Sequence, residues 1–148
     1  MIKIGIIGGA GYTAGELIRI LLHHPKVKID FIHSNSQDGK LVSDIHQDLL
    51  GETYLSFSKN INPGVNVLFL CSGHGNSKSF LTKHTFSKQT KIIDLSSDFR
   101  IKEEGNNFVY GLPELNKKQI QTSSHIANCD VLQLRFNWPY CLWQNLKT

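Results

Sequence analysis

A glycine-rich turn near the amino terminus has the residue types and spacing that suit a dinucleotide pyrophosphate. The segment Gly8–Ala14 reads GGAGYTA, with small residues at its first, fourth and seventh places. Small residues let the backbone turn tightly and approach phosphate oxygens, and the N–H groups that open a following helix face the anion. The turn therefore predicts nucleotide binding, and the alternative is a tight strand-to-helix turn that holds no ligand.

The residues around this turn predict the elements that must position it. Ile2–Ile7 is an apolar run typical of a buried strand, and Thr13–Leu22 has apolar residues at helical spacing. Pro25 closes this helix, and Val27–His33 is β-branched and aromatic, which favours a second strand. A strand, a glycine turn, a helix and a strand in this order form a right-handed parallel pair.

The same alternation continues along the chain. Further strands are predicted at 65–71, at 91–95 and from 125 onward, and helices at 41–50, 77–86 and 114–122. Strands that alternate with helices predict an α/β fold with a doubly wound, mostly parallel sheet of the Rossmann type.

The loop after the second predicted strand bears on which nicotinamide cofactor the turn takes. An NAD-preferring site usually presents a carboxylate to the ribose hydroxyls there, whereas this chain presents Ser34-Asn35-Ser36. Hydroxyl and amide groups can donate to a 2′-phosphate, which a carboxylate would repel. The loop therefore favours NADP over NAD, and the alternative is a loop that only stabilises its own turn.

Composition and charge argue against several other classes. The chain has 148 residues, about one domain by length, of which 40% are hydrophobic and 19% charged. Its net charge of +4 comes from scattered lysines without a basic stripe, so we expect no nucleic-acid partner. Its three cysteines lack metal-ligand spacing, which predicts neither a zinc site nor a disulfide framework. Because no apolar run approaches a bilayer span, we expect no membrane association and a cytoplasmic location.

Three longer motifs are more informative than the glycine turn by itself. They are GGAGYTAGEL at Gly8–Leu17, IDLSSDFR at Ile93–Arg100 and VYGLPELN at Val109–Asn116. Together with Gly73–Gly75 after the third predicted strand, they resemble the N-acetyl-γ-glutamyl-phosphate reductase family of arginine biosynthesis. The resemblance runs from residue 2 to about residue 128.

This resemblance implies an NADP(H)-dependent reductase that acts on a small-molecule acyl phosphate. N-acetyl-glutamyl 5-phosphate would be converted to N-acetyl-glutamate 5-semialdehyde and phosphate. A cysteine thiolate attacks the acyl carbonyl, phosphate leaves, hydride reduces the thioester, and the hemithioacetal collapses to the aldehyde. The family also implies that full-length members are homo-oligomers.

The family's cofactor contacts carry over to three segments of this chain. They are the glycine turn, the loop after the second strand and the segment after the third: Gly8, Gly11, Tyr12, Thr13, Ala14, Ser34, Ser36, Gly73, His74 and Gly75. The two serines would lie near the 2′-phosphate, and the third segment near the nicotinamide half.

Four positions qualify what the resemblance implies. Ala14 stands where many relatives have glycine, and Gly73 stands where relatives usually have proline, which would loosen that loop. The family implies that Asp98 and Arg100 form active-site scaffolding. The alternative for this pair is a surface ion pair or a helix cap.

The resemblance ends after Asn128. The family continues with Pro-Gly-Cys, whose cysteine is the nucleophile, whereas here Cys129 follows at once, two positions early. Back-translating Asp130–Leu146 with allowed codons and reading on after the first two bases gives CFATAIQLALLPLAKS. This resembles a family continuation from the catalytic cysteine into an apolar helix. We therefore hypothesise a net frameshift just after the Asn128 codon.

The frameshift hypothesis divides the chain into an NADP-binding domain at 1–128 and an aberrant tail at 129–148. The sheet would then be incomplete at its C-terminal end and the chain catalytically incompetent. Cys129 is the candidate nucleophile, and its alternative is a stray cysteine of an out-of-frame tail. Two other functions stay open: a non-catalytic NADP(H)-binding module, and an aspartate-semialdehyde-dehydrogenase-like enzyme, against which VYGLPELN argues.

Overall fold

Strands and helices alternate through residues 1–129, which a computed structural model describes. In chain order the elements are β1 (Ile2–Ile7), α1 (Tyr12–Leu22), β2 (Val27–His33), α2 (Val42–Ile45), a 3₁₀ turn (Gln47–Leu49), β3 (Val67–Leu70), α3 (Ser77–Lys83), β4 (Lys91–Asp94), β5 (Val109–Gly111), α4 (Pro113–Thr122) and β6 (His125–Asn128). Apart from Cys129, the predicted tail at 129–148 lies outside the described residues.

The six strands form one sheet in the order β2-β1-β3-β4-β6-β5, and every pair is parallel. From β1 the chain runs outward to β2 and then returns to place β3 on the other side of β1. Ligands of open α/β sheets bind outside the carboxyl ends of the strands at such a reversal. The predicted doubly wound α/β fold is confirmed, and the reversal lies where the glycine turn begins.

Apolar side chains pack on both faces of the sheet. Alternate residues of β3 separate the faces, because Val67 and Phe69 contact one cluster while Leu68 and Leu70 belong to the other. The first cluster includes Ile18 of α1, and Phe80 of α3 packs against the second. Burial of these side chains fixes α1 and α3 on opposite faces, and with them the loops at the carboxyl ends of β1 and β3.

The prediction of one continuous helix at 41–50 is wrong. It is divided into α2 and the 3₁₀ turn at His46, whose φ of −102° and ψ of 83° are not helical. The ring of His46 is buried, and its Nε2 lies 2.8 Å from the carbonyl oxygen of Gly9. Contact with the glycine turn draws this residue inward, so the weak local helical pattern is interrupted there.

The sequence analysis assigned no strand to β5. This element has only three residues, too few for an alternating pattern to be recognised. It pairs with β6 through Val109–Ile126, Tyr110–Ala127 and Gly111–Asn128. Pairing with a strand that follows later in the chain defines β5, and a single segment of sequence does not contain that information.

Candidate functional site

The glycine turn closes against the end of β3. Gly8 has a φ of +76°, and a Cβ built there would lie 2.6 Å from Ser72 Cα and 2.7 Å from its backbone nitrogen. These are main-chain atoms that cannot rotate away, so only glycine fits. Glycine at this position therefore lets the turn pack directly against the backbone that follows β3, and this contact fixes the turn that leads into α1.

The glycine turn and the amino end of α1 together form a cradle of backbone N–H groups. Gly11 is the N-cap, its N–H donates to the Gly8 carbonyl oxygen over 3.2 Å, and Tyr12, Thr13 and Ala14 form the first turn. The N–H groups of a first helical turn lack partners within the helix. No acidic side chain lies in this turn, so nothing there repels an anion. The cradle therefore fits the pyrophosphate of a dinucleotide.

His46 is a site residue that the sequence analysis did not assign. Its Nε2–H donates to the Gly9 carbonyl oxygen, and a Cβ at Gly15 would lie 2.5 Å from its Nδ1. The ring thus holds the turn on one side and the first turns of α1 on the other. Because the bond joins residues 37 apart, local sequence patterns carry no signal for it.

The loop after β2 forms one wall of a cleft beside the turn. Ser34 is buried and lines this cleft, together with Gly8 of the turn and Ser72 after β3. The cleft has a volume of about 530 Å³. Ser36 is exposed and does not line it. The structure thus brings one of the two predicted serines to the cleft, while the other faces solvent.

The segment after β3 is a loop of alternating glycines. Gly73 and Gly75 have φ values of +79° and +81°, and His74 lies between them. A proline is fixed near a φ of about −65° and could not occupy position 73 in this conformation. The His74 Nδ1 accepts the N–H of Ser97 over 3.0 Å, so its proton lies on Nε2 when the ring is neutral. The loop that follows β4 therefore holds the His74 ring in place, although His74 lies between two glycines.

Asp98 of the IDLSSDFR motif caps this loop and the start of α3. Its carboxylate accepts the backbone N–H groups of Gly75 at 2.6 Å, Ser77 at 2.9 Å and Lys78 at 3.2 Å. The side chain is half-buried. Of the alternatives given for this residue, the helix cap is confirmed, because Asp98 accepts N–H groups of the first turn of α3. The N-cap residue itself, Asn76, makes no capping bond with its side chain. The cap also fixes the loop that carries His74.

This cap should make stability depend on pH. Burial alone would raise the pKa of Asp98, but the N–H groups of Gly75, Lys78 and Ser77 and the hydroxyl of Ser96 together outweigh it and hold the pKa below its ordinary 3.8. Because the pKa is lower in the folded state, the ionised carboxylate stabilises the fold at any pH above the pKa of the unfolded chain. This stabilisation is lost as the pH falls through the pKa of the folded state. In urea titrations, Asp98→Asn should therefore be less stable than the parent above about pH 4, and the difference should shrink below it.

A pH-independent difference between the two proteins would contradict this assignment. Asp30→Asn is the matched control, since Asp30 is exposed and its Oδ2 accepts one side-chain bond, from Asn62 Nδ2 at 2.8 Å. Its difference from the parent should stay small at every pH.

Asp94 of the same motif is fully buried at the end of β4. Its Oδ1 accepts the hydroxyl of Ser77 at 2.6 Å, and its Oδ2 accepts the hydroxyl of Ser96 at 2.7 Å. Ser96 in turn accepts the N–H of Asp98 over 3.1 Å. The motif therefore forms a hydrogen-bonded network that joins the end of β4 to the start of α3. The network fixes the loop that follows β4 against the amino end of that helix.

Arg100 joins the ends of two neighbouring strands. Its Nε donates to the Asn128 carbonyl oxygen at 2.9 Å, and a terminal nitrogen donates to the Leu95 carbonyl oxygen at 3.3 Å. Leu95 follows β4 and Asn128 ends β6. The guanidinium thus fixes the backbone immediately before Cys129, as scaffolding for whatever side chain follows β6.

The two cysteines among the described residues differ in their chemistry. Burial, with a further contribution from Asp94, raises the pKa of the Cys71 thiol to about 12, so it is not a nucleophile near neutral pH. Cys129 is a half-buried free thiol that directly follows β6 at the carboxyl edge of the sheet. Both cysteines directly follow a parallel strand at this end of the sheet, and the raised pKa excludes Cys71, so Cys129 is the candidate nucleophile of the two.

Residues 1–129 hold neither a metal-ligand cluster nor a membrane-spanning helix. No group of three or more His, Cys, Asp and Glu side chains there is placed to hold a metal ion. In the same part of the chain, no helix is long and apolar enough to cross a membrane.

Comparison with curated proteins supports the resemblance that the motifs indicated. A Christiangramia forsetii protein named N-acetyl-γ-glutamyl-phosphate reductase is 59% identical over 128 residues, which are 86% of this chain and 40% of that protein. A Flavobacterium johnsoniae protein of the same name is 57% identical over 132 residues, 86% of this chain and 41% of that protein. The chain thus spans about two fifths of the length of these relatives.

Solved structures share the fold at low sequence identity. Aspartate semialdehyde dehydrogenase II from Vibrio cholerae, complexed with ASA, matches with a TM-score of 0.65 and 15% identity, over 93% of this chain and 44% of that one. Aspartate semialdehyde dehydrogenase from Candida albicans, solved with NADP, matches with a TM-score of 0.62 and 15% identity, over 86% of this chain and 42% of that one. At this identity the likeness concerns the fold alone.

The family model described as semialdehyde dehydrogenase, NAD binding domain, matches residues 3–123. This range contains the glycine turn, the loops after β2 and β3, and the Asp94–Asp98 network. The chain therefore belongs to the semialdehyde dehydrogenase family, whose NAD-binding domain makes up most of its described residues.

Proposed function

We propose that this chain is the dinucleotide-binding part of an NADPH-dependent N-acetyl-γ-glutamyl-phosphate reductase that acts in the cytoplasm. The full enzyme would reduce N-acetyl-glutamyl 5-phosphate to N-acetyl-glutamate 5-semialdehyde and release phosphate. The observation that carries this proposal is the identity of 57–59% to two curated reductases over 86% of this chain. An aspartate-semialdehyde-dehydrogenase-like activity has weaker support, because those proteins match at 15% identity.

The residues of the cradle would bind and orient the cofactor. NADPH, when bound, supplies hydride for the reduction. The first-turn N–H groups of α1 at Tyr12 and Thr13 would donate to the pyrophosphate, and Gly8 would hold the turn that presents them against the backbone of Ser72. His74, with its proton on Nε2, is presented from the loop that Asp98 caps and would lie toward the nicotinamide half.

The reaction centre would form beyond the end of β6. A thiolate there attacks the acyl carbonyl, forms the thioester and expels phosphate. Arg100 would hold the Asn128 carbonyl, so that the residues after it begin from a fixed backbone position. Cys129 lies within two residues of where the family has its cysteine, but nucleophilic catalysis depends on placement to within ~1 Å.

We propose further that residues 129–148 are read out of frame. The support is that a back-translation of Asp130–Leu146 with allowed codons, read from its third base, gives an apolar segment that resembles the family's continuation after its cysteine. The matches to the two curated reductases cover 86% of this chain and leave the remainder unmatched. The 148-residue chain would then bind NADP(H) without turning over substrate. DNA sequencing across codon 128 tests the shift directly.

Restoring the frame should restore catalysis. We expect a gene corrected after the Asn128 codon to encode a longer chain that forms NADPH from NADP⁺, phosphate and the semialdehyde, with no turnover by the 148-residue chain. The readout is absorbance of NADPH. Replacing the cysteine that the restored frame supplies by serine should abolish the activity, because serine is a far weaker nucleophile than a thiolate.

Two outcomes would contradict this assignment. Turnover by the 148-residue chain that disappears in Cys129→Ser would make Cys129 the nucleophile and the tail functional. A corrected gene with no family-like frame beyond codon 128 would exclude the frameshift.

A further inference from the structure

The cleft beside the glycine turn carries positive charge that the cofactor contacts named above do not use. Two lysines line this cleft, Lys59 and Lys83. They come from different elements, because Lys59 follows the segment that bridges to β2 and Lys83 is the last residue of α3. Within residues 1–129, no aspartate or glutamate lines the cleft. The cleft is therefore suited to a group that carries negative charge.

Lys59 is held beside the loop that follows β2. Asp38 Oδ1 accepts the backbone N–H of Lys59 at 2.9 Å, and Asp38 Oδ2 lies 3.3 Å from its Nζ. The preceding residue, Ser58, forms a parallel bridge with His33 at the end of β2. These contacts bring the ammonium close to Ser34, which lines the same cleft. The end of β2 is where parallel-sheet dinucleotide sites contact the adenosine ribose.

The α3 side of the cleft offers a surface for a flat ring. Phe80 and His84 are stacked with 4.4 Å between their ring centres, and both line the cleft near Lys83. His33 also lines the cleft, and its ring is tilted against Phe80 with 6.2 Å between ring centres. Aromatic faces of this kind pack well against a purine. The cleft thus combines an aromatic surface, three serine hydroxyls and two ammonium groups.

Resting on the proposed function, we propose that Lys59 and Lys83 are specificity residues that select the adenosine 2′-phosphate of NADPH over the free hydroxyl of NADH. The 2′-phosphate carries nearly two negative charges at neutral pH, and lysine is a common phosphate partner. A ribose hydroxyl gains much less from an ammonium. The lysines supply the positive charge that the loop Ser34–Ser36 lacks, and they lie on elements distant from it in sequence.

The test compares NADPH and NADH binding to the full 148-residue chain by isothermal titration calorimetry. Lys59→Gln and Lys83→Gln should each weaken NADPH binding by about tenfold or more and leave NADH binding within about twofold. Lys59→Arg should keep the preference, because it restores the charge. Lys91→Gln is the matched control. Lys91 is an exposed lysine in the first position of β4, so it lies at the amino ends of the strands, away from the cleft.

Each outcome separates this inference from the proposed function. If the glutamine variants weaken NADPH and NADH equally, or leave NADPH binding unchanged, the lysines do not select the phosphate and the proposed function still stands. If the parent chain binds neither nucleotide saturably, both the inference and the proposed function are overturned. Circular dichroism of each variant must match the parent, and Lys59→Arg with a parent-like spectrum keeps the comparison valid if Lys59→Gln does not fold.

Discussion

Gly8→Ala should abolish saturable NADPH binding and lower the free energy of unfolding by about 2–5 kcal/mol. A φ of +76° costs an alanine ~1–2 kcal/mol. The new Cβ would also lie 2.6 Å from the backbone of Ser72, and such overpacking adds ~1–3 kcal/mol. Relief requires β1 and β3 to separate at the point where the pyrophosphate would be bound. Denaturant titration and calorimetry with NADPH measure the two effects.

Gly51→Ala separates strain from steric overlap. Gly51 has a nearly identical φ of +82°, but nothing lies within 4 Å of a Cβ built there. This variant should lose only ~1–2 kcal/mol of stability and keep NADPH affinity. Equal losses of stability and affinity in both variants would show that the contact between Gly8 and Ser72 has no special role.

Asp94→Ala should lower the free energy of unfolding by about 2–4 kcal/mol. The substitution leaves the buried hydroxyls of Ser77 and Ser96 without their acceptor, and a stranded buried polar group costs ~1–3 kcal/mol. Because Ser96 also accepts the N–H of Asp98, the cap on the His74 loop should loosen. Hydrogen exchange should therefore accelerate in residues 73–78 more than in β1.

The exposed Asp30 provides the comparison for this prediction. Its side chain accepts one hydrogen bond at the surface, from Asn62. Asp30→Ala should therefore change the free energy of unfolding by about 0.5 kcal/mol or less. If Asp94→Ala cost no more than Asp30→Ala, the network would have no stabilising role. Uniform acceleration of exchange would argue against a local role for it in the loop.

Local patterns were sufficient for five of the six described strands and for the glycine turn. Apolar and β-branched composition predicted β1 and β2, helical spacing predicted α1, and small residues at fixed places predicted the turn. The segment Gly73–Gly75 also located the loop before α3. In these places a residue's neighbours in sequence determine its conformation, so the sequence contains the information directly.

Contacts between distant segments were beyond the reach of sequence patterns. His46 and Gly9 are 37 residues apart, and the lysines of the cleft lie on elements that meet only after the sheet has formed. A helix cap was one of the alternatives for Asp98, but the sequence could not identify the helix, because α3 begins 21 residues earlier in the chain. Ser36 shows the converse, because its loop was placed correctly while its side chain faces solvent.

We propose that residues 1–128 form a nucleotide-binding domain selective for NADPH. Titrating the 148-residue chain with NADPH while following nucleotide fluorescence tests this most directly, with NADH in parallel. Saturable binding of one NADPH per chain, tighter than NADH and lost in Gly8→Ala, is the predicted result. No saturable binding of either nucleotide to a chain whose circular dichroism shows it folded would contradict the claim.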